Sequence, residues 1–244
     1  MYTRVVRMPE PPDVADVVAE RLLERIIDLQ ATRDSVHVCL TGGQTANAMY
    51  ERFADLAATS DLDATKLHLW WSDERFVPAT DPERNSLQAI ERLARTIPIH
   101  SAHIHMMAAK DGRKDAHESA SEYEQELDDT TFDVTLLGLG ADGHCASLFA
   151  NHPSFDLTTT RRVIGVEDSP REPSERISLT FSALNRSREV WFLATGERKA
   201  EAAAACLDGD DARPASHVHG ERATVWFLDE AAAGHLSPQF NCEL

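Results

Sequence analysis

The chain has no apolar run long enough to cross a membrane, no closely spaced cysteine pair, no internal repeat and comparatively few cations. Each shortage excludes something. A spanning helix needs about 20 mostly apolar residues, so no membrane partner is expected. The opening MYTRVVRMPEPPD has neither an apolar signal core nor a small-residue cleavage site, and a soluble, cytoplasmic protein is the expectation. Cys39, Cys145, Cys206 and Cys242 are scattered, with no CxxC spacing. A zinc knuckle is disfavoured, and reduced, mostly buried thiols are expected. Lys and Arg number 24 against 41 Asp and Glu, a net charge of -17. A general nucleic-acid binder would carry a basic face, so no nucleic-acid partner is expected. The same charge repels any anionic ligand, so a site for one must concentrate cations and backbone N–H groups locally.

What is present supports a core. Of 244 residues, 42% are hydrophobic, and no linker interrupts them, which reads as one domain over 1–244. Apolar residues fall at helical spacing from Pro12 to Leu29, and a short strand follows at Ser35 to Leu40. Helices are predicted at Thr45 to Leu56, Asn85 to Thr96, Lys114 to Leu127 (charged and exposed) and Lys199 to Leu207, with a short tail helix from Glu230. Strands are predicted at Lys66 to Trp71, Phe132 to Leu137, Arg176 to Thr180, Glu189 to Ala194 and within Val218 to Leu228, with a short one at His103 to Met106. This alternation predicts an α/β fold with an open, mostly parallel β-sheet flanked by helices. Ligands of such sheets bind beyond the carboxyl ends of the strands. Those ends carry Gly42-Gly43, Asp73-Glu74-Arg75, Gly138 to His144 and Gly196 to Lys199.

The stretch FDVTLLGLGADGHCASLF, Phe132 to Phe149, is the richest in chemistry. A strand runs into glycines 138, 140 and 143 and then His144. Glycine permits sharp turns and close approach to a ligand, and histidine moves protons near neutral pH. Gly138 to Gly143 formally matches GxGxxG, a weak dinucleotide signal by itself. It lies mid-chain, and Asp142 and His144 stand where small or apolar residues would pack. Gly42-Gly43-Gln44-Thr45 joins a strand to a helix, where N–H groups can cradle a phosphate; Thr45 either adds a hydroxyl or caps the helix. Arg75 suits bidentate binding of phosphate or carboxylate, or else pairs with Asp73, Glu74 or Asp81. Lys199 either faces the site or is solvated. Cys145 beside His144 is disfavoured as a nucleophile, because adjacent residues rarely aim side chains at each other. His103 with His105, and His217 with His219, read as ordinary strand residues rather than metal ligands.

Taken together, LTGGQT (Leu40 to Thr45), WWSDERFVPATDPERNS (Trp70 to Ser86), LLGLGADGHCASLF (Leu136 to Phe149), ERISLTFSALNRSREVWFLATGERK (Glu175 to Lys199) and RPASHV (Arg213 to Val218) resemble the 6-phosphogluconolactonase family, within the wider group that includes glucosamine-6-phosphate deaminases. The resemblance implies a Rossmann-like, sugar-phosphate isomerase-like fold. After DGH, deaminases of the group resemble IAFNEP and lactonases TASLFP; Ala146 to Phe149 has the lactonase form. Two departures stand out. Gln44 replaces the usual serine of GGST, and Asn85-Ser86 reverses the usual SN.

The resemblance implies hydrolysis of 6-phosphoglucono-1,5-lactone to 6-phosphogluconate in the oxidative pentose phosphate pathway, with no cofactor and no metal. His144 would activate water and then protonate the departing ring oxygen, with Asp142 orienting the imidazole. The phosphate would lie on Gly42, Gly43, Gln44 and Thr45. Arg75 and Lys199 would add positive charge, Arg176 less so, with Asp73 and Gly140 also facing the substrate. Nothing in the sequence requires a protein partner; it does not reveal the oligomeric state, and a monomer is compatible with it. The alternatives are an amino-sugar phosphate isomerase or deaminase on the same scaffold, and a non-catalytic sugar-phosphate binder.

Overall fold

The computed structural model describes residues 2–240. Six strands form the central sheet: β1 (Tyr2–Met8), β2 (Val36–Leu40), β3 (Leu67–Trp71), β5 (Val134–Gly138), β8 (Glu189–Ala194) and β9 (Ala223–Asp229). They lie in the order β1-β9-β8-β5-β2-β3, with every neighbouring pair parallel. A second sheet is antiparallel, with the order β4 (Asp73–Arg75), β7 (Arg176–Leu179), β6 (Val163–Val166). The strand predicted over Arg176 to Thr180 therefore exists but lies outside the parallel sheet.

Strand alternation divides the core in two, because successive side chains point to opposite faces. Val134, Leu136, Trp191, Leu193, Val225 and Phe227 pack with helices α1 (Pro11–Gln30), α2 (Gln44–Ala57) and α3 (Asn85–Leu93). Leu137, Val190, Phe192, Trp226 and Leu228 pack on the other face, with α4 (Ala116–Leu127), the short α5 (Phe181–Leu184), α6 (Ala200–Leu207) and the second sheet. Both faces are covered, so the central strands read as nearly continuous apolar runs.

Several elements differ from the sequence expectation. β1 is unpredicted; it is an edge strand with an exposed first half, so its apolar signal is weak. α4 begins at a capping box of Asp115 and Glu118. It is not exposed all round, since Ala116, Ala120, Tyr123 and Leu127 are buried. The segment His103 to Met106 pairs only through a single bridge, Leu69 with Ile104, and His103 ends a 3-10 turn. No tail α-helix follows Glu230 among the described residues; a turn and a 3-10 helix at Pro238–Phe240 stand there. His217 ends a 3-10 turn and His219 precedes β9, so neither is a strand residue.

The chain changes direction between β2 and β5, since β3 was added on one side of β2 and β5 on the other. Such a reversal opens a crevice beyond the strand ends. Thr41 to Gly43 leave β2 there, and Leu139 to His144 leave β5.

Candidate active site

A cleft of about 470 Å³ occupies that crevice. Gly42, Gly43, Gln44, Thr45, Asp73, Arg75, Gly140, His144, Arg176 and Lys199, all singled out from sequence, line it together. Asp142 reaches it through His144.

The floor is the start of α2. Gly43 is its N-cap at φ 108° and supplies no side-chain cap. The first-turn N–H groups are thus open to an anion, reinforced by the helix dipole. Gly42 must lack a side chain for a different reason: a Cβ there would lie 2.0 Å from Asn85 Oδ1. Thr45 does not cap the helix. Its hydroxyl meets that of Thr195, 2.9 Å away, joining the turns after β2 and β8.

Asp73-Glu74-Arg75 has three separate duties. Asp73 is buried in the wall, accepting from Ser147 Oγ (2.7 Å) and Asn85 Nδ2 (3.4 Å). Glu74 is fully buried and points away from the cleft. Its carboxylate accepts from the backbone N–H groups of Arg75 (2.8 Å), Asn85 (2.7 Å) and Ser86 (2.8 Å), so it caps α3 from a neighbouring strand. Burial pushes its carboxyl pKa up, opposed by the charge of Arg84 and by these hydrogen bonds. Arg75 lines the cleft, yet its Nη1 donates to the carbonyl (2.9 Å) and carboxylate (3.1 Å) of Glu83. The ion pair is with Glu83, not with the nearer acids of the triplet.

The loop after β5 presents the imidazole. Gly140 N–H donates to His144 O (2.8 Å) and Gly143 N–H to Gly140 O (3.0 Å), and Gly143 has φ 82°. His144 Nδ1 lies 2.5 Å from Asp142 Oδ1, and its ring rests on Phe149 with centroids 4.7 Å apart. The hydrogen bond with His144 and the charge of its imidazolium form hold the Asp142 carboxyl far below the usual carboxylate range. Cys145 is buried, and burial pushes its thiol pKa well up, the reverse of what a nucleophile needs.

Cations concentrate here despite the overall charge. Arg75, Arg176, Arg198 and Lys199 face two carboxylates, Asp73 and Glu197. The Lys199 side chain makes no hydrogen bond or ion pair among the described residues; burial lowers its pKa, while Asp142 opposes the shift. Arg176 is largely committed to holding a loop. Its Nε donates to Pro173 O (2.6 Å), and its Nη2 donates to Arg171 O (2.9 Å) and Glu172 O (3.1 Å). Among the described residues no cluster of His, Cys, Asp and Glu is arranged to hold a metal ion, and no helix is long and apolar enough to cross a membrane. Cys39, Cys145 and Cys206 are free and buried; Cys242 lies outside the described residues.

Asn85, Ser147 and Thr195 were not foreseen as site residues. Each acts through contacts with residues 12 to 150 positions away, which no local pattern records. Gly196, at φ 88°, was visible as a strand-end glycine, and its N–H is held by the buried carboxylate of Asp229 at 2.9 Å and 3.0 Å.

Residues 9–226 match the family described as glucosamine-6-phosphate isomerases/6-phosphogluconolactonase. The 6-phosphogluconolactonase of Streptomyces coelicolor is 44% identical over 237 residues, covering 91% of this chain and 90% of that protein. The 6-phosphogluconolactonase of Mycobacterium tuberculosis is 38% identical, covering 97% and 99%. The crystal structure of 6-phosphogluconolactonase from Thermotoga maritima superposes with a TM-score of 0.82 at 28% identity, over 93% of this chain and all of that one. With a match along most of its length and a cleft built from the motifs that carry the resemblance, the chain belongs to the glucosamine-6-phosphate isomerase/6-phosphogluconolactonase family.

Proposed function

We propose that this protein hydrolyses 6-phosphoglucono-1,5-lactone to 6-phosphogluconate, as a cytoplasmic enzyme of the oxidative pentose phosphate pathway. One observation carries the mechanism: the Asp142–His144 pair opens onto the same cleft as the uncapped start of α2. The phosphate rests on the N–H groups of Gly43 to Thr45, with charge from Lys199 and Arg75. The lactone ring then extends toward His144.

Asp142 accepts a hydrogen bond from Nδ1–H, so Nε2 is the free base. It takes a proton from water as the oxygen attacks the lactone carbonyl carbon. Backbone N–H groups of the glycine loop, or Arg75, stabilise the oxyanion. When the carbon–ring-oxygen bond breaks, the imidazolium returns its proton to that oxygen, and the new carboxylic acid releases a proton to solvent. No cofactor enters these steps. Relatives named 6-phosphogluconolactonase at 44% and 38% identity support lactone hydrolysis over deamination. So does the Ala146 to Phe149 stretch, through Ser147 on Asp73 and Phe149 under His144.

The lactone also hydrolyses unaided, so the test compares its decay with wild type and with His144→Ala. A loss of about 10²–10⁴-fold is expected for a missing general base. Near-wild-type turnover by the variant would exclude His144 as the base, and ammonia release from glucosamine 6-phosphate would exclude the lactonase assignment.

A further inference from the structure

Asp142 is gripped from three directions. Its Oδ1 faces His144 Nδ1 at 2.5 Å, its Oδ2 faces Arg171 Nη2 at 3.3 Å, and its carbonyl accepts from Arg213 Nη1 at 3.1 Å. Arg171 is not a freely placed surface residue at its backbone. Its carbonyl accepts from Ser169 Oγ (2.9 Å) and from the buried Arg176 (2.9 Å), and its N–H donates to Ser169 Oγ (3.3 Å). A buried arginine in the cleft wall thus shapes the loop that brings a second arginine over the outer face of the catalytic carboxylate.

A carboxylate shared between two cations differs from one serving a single imidazole. With Oδ2 engaged, rotation of the group costs the Arg171 contact, which favours keeping Oδ1 on Nδ1. The guanidinium also draws off part of the negative charge that would otherwise favour the imidazolium. We propose, given the lactonase assignment above, that Arg171 is a positioning residue: it locks the Asp142 carboxylate in register with His144 and keeps the imidazole available as a base at lower pH. Arg171 does not line the substrate cleft, so it acts through Asp142. The other charged groups around the pair are Asp73 and Arg75 on β4, Arg176 on β7, Glu197, Arg198 and Lys199 after β8, and Arg213 under Gly143. All remain in place when Arg171 alone is changed.

The test is a charge series on the intact protein, Arg171→Lys, Arg171→Ala and Arg171→Glu. Two measurements are made: the acid limb of kcat/KM for the lactone, and the NMR titration midpoint of the His144 ring, assigned by its loss in His144→Gln. A unit charge removed at this range from a half-exposed site moves a midpoint by about half a pH unit. Both readouts should move up by that much in Arg171→Ala and further in Arg171→Glu, with most of the shift restored in Arg171→Lys. KM should hold steady at pH 8. Midpoints that stay together across the series, or an effect confined to KM, would overturn the proposal. If wild type turns over no lactone, the assigned function fails, while the NMR series still decides the role of Arg171.

Discussion

Gly140→Ala is the substitution that most cleanly separates stability from catalysis. Gly140 is not held at a positive φ; its requirement is space. A Cβ there would lie 2.0 Å from His144 Nδ1 and 2.4 Å from Asp142 Oδ1. Ordinary contact begins at about 3.5 Å, so the imidazole must withdraw by roughly 1.5 Å. The atoms in the way are the ends of two side chains in a partly solvated loop, so the fold can yield. The stability cost should sit near the low end for overpacking, about 1 kcal/mol. Catalysis should not, because in the proposed mechanism the displaced groups are the base and its orienting carboxylate. A misplacement of this size should lower turnover by about 10²-fold or more. Gly138→Ala is the control, since its Cβ would meet only Gly42 O at 3.8 Å. Lactone decay and urea unfolding should be measured on both variants. If Gly140→Ala keeps more than about a third of wild-type kcat/KM, then orientation of His144 by Asp142 does not limit turnover and the mechanistic reasoning is wrong.

Two further outcomes follow from the structure. Removing the Glu74 carboxylate strands the N–H groups of Asn85 and Ser86 and leaves buried Arg84 without its 3.6 Å partner. Glu74→Ala should therefore cost about 3–5 kcal/mol in urea unfolding, and a loss under about 1 kcal/mol would contradict the capping role. On β3, His68 stacks against His37 of β2 (4.6 Å) and against His103 (4.0 Å) and His105 (5.4 Å) of the segment that returns past β3. Burial first, then the neighbouring imidazoles, lower its pKa to about 4. Because the folded value lies below the unfolded one of about 6.5, the contribution is intact above pH 6.5 and is lost as pH falls from there toward 4. The melting temperature of His68→Phe should decline less than that of wild type across that interval, and parallel declines would argue against protonation of the stack.

Histidines at 37, 68, 103 and 105 also show how far local sequence carries. His37 and His68 sit on β2 and β3, where alternation places them, whereas His103 ends a 3-10 turn and His105 follows it outside any strand. Their convergence into one stack depends on the register that sets His37 beside His68 and on the loop that returns past β3. The same limit applies to Asp73-Glu74-Arg75. The triplet marked the site, but nothing in three consecutive residues distinguishes the one that lines the wall, the one that caps α3 and the one that pairs with Glu83.

By itself the sequence determined the parallel sheet and the strand ends at which the cleft opens. Apolar strands ending in Gly42-Gly43, Gly138 to His144 and Gly196 are local statements, written in hydrophobic period and in glycines that tight turns and close approaches demand. Tertiary structure decided the rest. It made an edge strand of Tyr2–Met8, gathered β4, β6 and β7 into a second sheet, and brought Ser147 to Asp73 and Arg171 to Asp142. Asp142 and Arg171 are 29 positions apart, Asp73 and Ser147 are 74 apart, and the β4–β7 pairs are 101 to 105 apart; hydrogen bonds and ion pairs across such distances leave no periodicity along the chain. Only the folded arrangement shows that a loop which reads as a nucleotide cradle presents an Asp–His pair to a cleft whose floor is the turn after β2, the placement on which the proposed general base and phosphate cradle rest.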